Sequence, residues 1–451
     1  MMKGSLSRRD FVRIGAGAVA AGAAASSAWA DKAKSQALSA DMPDTSGRKT
    51  RFISIGTGIR GCDLLRAAAK VPNSECVGTA DLYTMHQKAG VEAYGKEIPT
   101  VRDYRSLLDR KDVDAVIVAV ADFQHRRVVL DCVEAGKDVY CEKPMSHNVA
   151  DGLAMVEAVQ KHKRIFQAGS QRVSSPVFKK AAEIVKAGRL GEITLIEGHT
   201  DRNSDSGAWV YPIPPDASPE TIDWKSWIRD APDRPYDAAR FFRWRCWADY
   251  GEGVAGDLFV HLLSGIQCAT GINAIPNRAF SMGSLTHFKD GRDFPDLLAT
   301  MYDYNGVTVK LHCNQNNDAD GDVTTLFGKE GTLVIKDNTV TFTPQNTHPQ
   351  PEWYSTDGWT AELKKKYYDD WAAAHPQKYD APLAETYSEP QGFDSSVAHI
   401  ANFFRAIDTR EHVLEDEVFG NNTAVACHMA NHSYFHRKVA AWDAESKTIK
   451  S

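Results

Sequence analysis

A doubly wound α/β fold is predicted for the first part of this 451-residue chain, and three observations predict it. A short apolar run at 51–56, RFISIG, passes through a glycine-rich turn, GTGIRG, into the helical pattern CDLLRAAAKV. The next apolar run, CVGTADLY, contains an acidic residue, Asp81, at its end. Strand-like runs at 114–121, 138–144 and 164–171 then alternate with amphipathic segments such as RRVVLDCVEAG. Such alternation is the mark of parallel strands joined by crossover helices.

Each element of the turn has a physical reason. Gly56 permits the tight bend, Gly58 lets the backbone approach a pyrophosphate, and Gly61 lets the helix pack closely on the strand. With Thr57, Ile59 and Arg60 these form the expected cofactor loop, whose free N–H groups at the helix start suit a pyrophosphate. Asp81 stands where an acid reaches a ribose 2′-hydroxyl, and no Arg follows directly, so NAD is favoured over NADP. Ligands of such sheets bind at the carboxyl ends of the strands. The cofactor site is therefore expected to include Asp122, His125, Glu142, Lys143 and Gln171 as well. A Rossmann domain over 50–172 follows.

The totals exclude other classes. A formal net charge of -6 argues against a nucleic-acid partner, which usually meets a basic stripe. Hydrophobic content of 43% and charged content of 25% are ordinary for a soluble globular chain with room for two domains. The eight cysteines are scattered without zinc-type spacing. Residues 5–30, SLSRRDFVRIGAGAVAAGAAASSAWA, place paired arginines before a mild Ala/Gly-rich run that ends in a small-x-small pattern. This layout resembles a twin-arginine (Tat) signal, so residues 1–30 are expected to direct export to the periplasm, followed by a linker at 31–49. After cleavage no stable membrane insertion is expected, because no other apolar stretch is long enough to span a bilayer.

GTGIRG, VIVAVADFQH, CVEAGKDVYCEKP and GRLGEI, with TTLFGKEGTLVI and HIANFFRAI nearer the end, resemble the Gfo/Idh/MocA oxidoreductases in order and spacing. The resemblance implies a second α/β domain, here 173–440, built on a large, open, mostly antiparallel sheet. It also implies NAD(P)-dependent chemistry on sugars or polyols, and a homo-oligomer, dimer or tetramer. It implies that Lys143 of the EKP motif is catalytic; on its own, a lysine at the end of such a strand can polarise a substrate oxygen, with Pro144 limiting its backbone. Asp257 and His261, four apart in DLFVH and preceded by Gly251, Gly253 and Gly256, share one helical face. Read through the resemblance, His261 is the acid/base and Asp257 a substrate or tuning contact. His261 would take a hydroxyl proton as hydride leaves carbon, while Lys143 steadies the developing alkoxide.

The Arg- and aromatic-dense stretch RFFRWRCWADYGEG supplies candidate sugar contacts Arg245, Trp247, Asp249 and Tyr250, the competing reading being an aromatic core with surface arginines. His428, His432 and His436 recur every four residues, but no carboxylate completes a metal set, and no metal is expected. Residues 345–390 read as an insertion serving as a lid or a subunit contact. An exported nucleotide enzyme finds no obvious cofactor pool outside, so NAD is expected to be tightly held and restored in each cycle. A sugar oxidoreductase satisfies this; so does an NAD-dependent glycosidase using transient oxidation, against which the retained EKP lysine counts. A non-catalytic nucleotide or sugar binder is the alternative from another class.

Overall fold

The computed structural model describes residues 49–346, 348–377 and 382–451. The expected signal and all of the linker but Lys49 lie outside them. Six parallel strands form the first sheet: β1 (Thr50–Ile55), β2 (Ser74–Ala80), β3 (Thr100–Val101), β4 (Ala115–Val118), β5 (Asp138–Glu142) and β6 (Phe166–Gly169). Their order, β3-β2-β1-β4-β5-β6, is that of a Rossmann sheet, with the crossover point between β1 and β4. β4 reads AVIV and is buried at every residue, as a central strand covered on both faces requires.

The longer helices here are α1 (Ile59–Ala68), α2 (Thr84–Tyr94), α3 (His125–Glu134) and α4 (Val149–His162), and α5 (Pro176–Lys186) follows, packed on the second domain. Asn148 caps α4 by accepting from the Asp151 N–H, and Ser175 caps α5 ahead of Pro176 at its first position. The second domain contributes α6 (Val260–Thr270), α7 (Ala361–Ala374), α8 (Ser395–Thr409) and α9 (Glu417–His436).

The second sheet has ten strands. They are β7 (Ile193–Arg202), β8 (Arg278–Ser284), β9 (Leu297–Tyr304), β10 (Val307–Asn314), β11 (Asn317–Gly328), β12 (Gly331–Lys336), β13 (Thr339–Pro344), β14 (Glu385–Ser388), β15 (Ala440–Asp443) and β16 (Thr448–Lys450). Their order is β14-β13-β12-β11-β7-β10-β9-β8-β15-β16, antiparallel except for the β7–β10 pair. Alternate residues such as Leu298, Thr300 and Tyr302 face inward against helices, whereas Phe280, Met282 and Met301 lie exposed on the opposite face. This is the α/β fold with a large, open, mostly antiparallel second sheet that the sequence led us to expect.

Two features depart from a simple division at residue 172. First, α8 returns to the first domain, where Ile400, Phe403 and Phe404 join Phe52, Leu64 and Tyr140 in one buried cluster. A doubly wound sheet must be covered on both faces, and α8 helps close one of them. Second, the stretch 345–390 contains α7, none of whose residues is buried, and ends in β14, which extends the edge of the second sheet. All eight cysteines are free thiols. No described helix is long and apolar enough to cross a membrane.

Phe403 is fully buried between the two segments. Phe403→Ala is expected to cost about 3–5 kcal/mol in denaturant unfolding. A loss below about 1 kcal/mol would show that α8 does not complete the first core.

Candidate active site

The glycine-rich turn is set by close backbone contacts. Gly56 has φ +88°, and a Cβ there would lie 2.4 Å from the Ala119 carbonyl oxygen. A Cβ on Gly61 would lie 2.0 Å from the Gly56 carbonyl oxygen, so α1 can approach β1 this closely only with glycine. No side chain caps the start of α1 at Gly58, which leaves first-turn N–H groups free for an anion.

Asp81 closes the turn from below. Its Oδ2 accepts from the Thr57 N–H at 2.7 Å and its Oδ1 from the Tyr83 N–H at 2.9 Å. Burial alone would raise its pKa; the neighbouring His86 and these N–H groups outweigh that and hold it below the usual carboxylate range. Thr57 itself points inward, its hydroxyl donating to the His86 carbonyl at 2.8 Å.

A cleft of about 850 Å³ runs from this turn across the strand ends. Gly56, Gly58, Ile59, Arg60 and Asp81 line one end. Asp122, Glu142, Lys143, Gln171, Arg245 and His261 line the rest. Glu142 and Arg60 pair at 2.7 Å, tying the end of β5 to the first turn of α1. Asp122, on the short turn after β4, accepts weakly from the Glu252 N–H at 3.3 Å. Burial pushes the Asp122 carboxyl well up, against the opposing charges of Arg245 and Lys143.

Lys143 meets Asp257 here. Its Nζ lies 2.7 Å from Asp257 Oδ1 and 3.0 Å from the Asp257 carbonyl oxygen. Arg245 Nε donates to the same Oδ1 at 2.9 Å, and the Trp209 indole N–H donates to Oδ2 at 2.9 Å. Arg202 Nη2 stands 3.6 Å from Oδ2. Burial by itself would raise the Asp257 pKa, but Lys143, Arg245 and Arg202 hold it well below the usual range. Asp257 lies in a π-helical turn, Ala255–Phe259, that leads into α6, where an ordinary helix start was expected. Such widened turns occur frequently at functional sites.

His261 follows on α6, with Nδ1 buried and unpartnered among the described residues. Burial, with the charges of Lys143 and Arg172, pushes its imidazole well below the usual value near 6.5. A neutral ring with a free nitrogen beside a lysine can accept a proton from a hydroxyl. Asp257, committed to three cations and an indole, does not hydrogen-bond to His261 here.

Four expected contacts fall elsewhere. His125 is buried: its Nδ1 meets the Pro144 carbonyl at 2.9 Å and its Nε2 the Val120 carbonyl at 3.2 Å, a strut behind the cleft. Burial outweighs those carbonyls and lowers its pKa to about 4. Trp247 packs under the Arg240 guanidinium, Asp249 pairs with Arg234 at 2.6 Å, and Tyr250 is fully buried against Phe123 and Trp227. The rest of the aromatic stretch thus packs on itself, and Phe241, Phe242, Trp244 and Arg245 are its members that reach the cleft. His428 meets Glu252 at 2.9 Å, while His432 and His436 stack on each other; no group able to hold a metal occurs among the described residues. Trp209, Arg202, Tyr211 and His86 carry no motif. The one local oddity is Trp209, a bulky residue held at φ +62°.

Fold and cleft together define a two-domain dinucleotide-binding protein. Residues 50–170 match the family model of the GFO_IDH_MocA oxidoreductases, described as an NAD-binding Rossmann fold. An inositol 2-dehydrogenase of Salmonella paratyphi B is 32% identical over 146 residues, 32% of this chain and 44% of that protein. An inositol 2-dehydrogenase 1 of Saccharopolyspora erythraea is 34% identical over 144 residues, 32% of this chain and 43% of its own. The chain thus spans less than half the length of these curated relatives. Across 87% of the chain the fold matches a levoglucosan dehydrogenase in complex with NADH and levoglucosan, with a TM-score of 0.65 at 16% identity and 99% of that chain covered. An NAD binding oxidoreductase from Klebsiella pneumoniae gives 0.64 at 18% identity, covering 88% of this chain and 99% of its own.

Two outcomes follow. Overpacking costs about 1–3 kcal/mol, so Gly61→Ala, whose Cβ meets the Gly56 carbonyl, is expected to lower stability by that amount in denaturant unfolding. If His261 is the base, its depressed pKa carries the acid limb of kcat/KM below pH 6.5. A limb at or above that value would assign the base elsewhere.

Proposed function

We propose that this chain is an NAD-dependent oxidoreductase of sugars or polyols. The observation that carries this is Lys143 and His261 meeting at the strand ends of an NAD-binding domain, the histidine neutral with one free nitrogen. The residues present fit the dinucleotide: the turn's glycines leave no room for side chains, the start of α1 has no cap, and Gln171 Oε1 is buried without a partner. The loop 56–61 would hold the pyrophosphate and Asp81 would face the adenosine ribose. When bound, NAD supplies the hydride acceptor.

The chain's own residues do the rest. In alcohol oxidation a C–H and an O–H bond break and a C=O bond forms; the hydride goes to NAD and the proton to His261. Lys143 stabilises negative charge on the oxygen as the proton leaves. Asp257 holds Lys143 in place. In the reverse direction His261 returns the proton.

The same reading includes export by the pattern at residues 5–30, with NAD retained through the cycle, and assembly as a dimer or tetramer through the open face of the second sheet. Exposed Phe280, Met282 and Met301 support that surface.

Lys143→Ala and His261→Ala are each expected to lower kcat by about 10²–10⁴-fold in a sugar-dependent assay, with NAD affinity little changed. Unchanged turnover in both would remove this site. Protein exported by its own signal and purified without added cofactor is expected to release near-stoichiometric NAD(H) on denaturation. An empty protein that turns over only with added NAD would end the retention reading.

A further inference from the structure

Lys143 and Arg245 line the inner end of the cleft, and Arg202 stands beside them on the same carboxylate; together they carry more positive charge than the nearby carboxylates answer. Lys143, Arg245 and Arg202 share one full negative charge, that of Asp257. The other carboxylates nearby are otherwise engaged. Glu142 answers Arg60 at 2.7 Å, Glu252 meets His428 at 2.9 Å and accepts from the Asn431 amide, Asp322 faces Arg172 at 3.3 Å and accepts from the Thr200 hydroxyl, and Asp201 stands 3.5 Å from His312. Asp122 is a buried carboxyl pushed toward its neutral form. His261, pushed the other way, adds no charge.

The donors at this end are also underused. Arg245 spends only Nε on Asp257; its two terminal amino groups meet no acceptor among the described residues. Its guanidinium lies 4.1 Å above the Trp244 ring, which fixes the plane of the fork where both residues line the cleft. Arg202 keeps Nε and Nη2 buried without a hydrogen-bond partner, its carbon stem against Gly207. Buried charged donors left unpaired are costly. Arg172, half-buried, pairs with Asp322 at 3.3 Å. An uncharged sugar could accept some of these hydrogen bonds, but it would leave the excess charge standing.

We propose that the substrate of this site is an acidic sugar, one that carries an oxyanion held by the terminal amino groups of Arg245 and by Arg202. The reacting hydroxyl then lies toward Lys143 and His261. The inference rests on the oxidoreductase reading only for the reaction; recognition of the anion stands on the arginines alone. A carboxylate, as in uronates and aldonates, and a phosphoryl group both match a guanidinium fork.

The test begins with binding. NAD-loaded protein is titrated by calorimetry with matched sets: a methyl pyranoside, the corresponding methyl uronoside and its 6-phosphate, across gluco, galacto and manno series, and gluconate beside glucitol. At least one acidic member is expected to bind about tenfold or more tighter than its neutral partner, and whether it is the uronoside or the phosphate names the anion. The same ratio is then measured for Arg202→Met and Arg202→Lys, with NAD affinity reporting that each variant is folded. The preference is expected to collapse toward unity in Arg202→Met and to survive in part in Arg202→Lys, because charge remains without the fork. Neutral members binding as well as acidic ones throughout, or a preference untouched by Arg202→Met, overturns the proposal. Turnover separates the two readings. Oxidation of neutral sugars without acid preference sinks this inference alone, whereas tight binding of an acidic sugar with no oxidation leaves it standing and sinks the oxidoreductase reading.

Discussion

The geometry of the cleft depends on one buried carboxylate. Asp257 gathers Lys143 from the end of β5, Arg202 from the end of β7, Arg245 from the connecting stretch and the Trp209 indole from the following loop. These elements come from both domains, so the ion cluster is also their joint. Each cation is expensive to bury alone, and the carboxylate would lose its charge without them. The cluster therefore holds together as a unit, and Lys143 is oriented by long-range contacts that no residue of the EKP motif supplies.

The widened turn around Asp257 belongs to the same arrangement. A regular helix start would continue the i to i+4 ladder through Asp257, whereas the π-helical turn at Ala255–Phe259 lets its carboxylate face Lys143 while His261 looks into the cleft from α6. The neutral histidine and the ionised aspartate sit one helical turn apart, with pKa values driven down for different reasons. Burial and positive neighbours do it for the imidazole; positive neighbours, against burial, do it for the carboxylate. Separated in this way, the two groups can carry different tasks.

Much of this was legible in the sequence where the chemistry is local. The GTGIRG turn, Asp81, the EKP lysine and the Asp257/His261 spacing are short-range patterns, each with its own physical requirement, and the strands alternate with helices as a parallel sheet demands. What escaped depends on distant contacts. Trp209 and Arg202 have no motif because their role exists only once the end of β7 and the loop after it meet the turn that carries Asp257. Trp247, Asp249 and Tyr250 were misplaced because an arginine-aromatic stretch has the same composition whether it stacks on a sugar or on its own core. His125 reads as a ligand from its place after β4, yet two carbonyls and full burial make it a strut.

The return of α8 to the first domain bears on when that domain can complete its core. Residues 395–409 supply Ile400, Phe403 and Phe404 to the core beneath β1, so a nascent chain holding only the first 170 residues has the glycine turn but an uncovered sheet. That half-domain would expose Phe52 and Tyr140 to solvent or to chaperones. Synthesis must therefore run past residue 409 before the core beneath β1 is complete, so the nucleotide domain depends on a helix more than two hundred residues beyond its last strand.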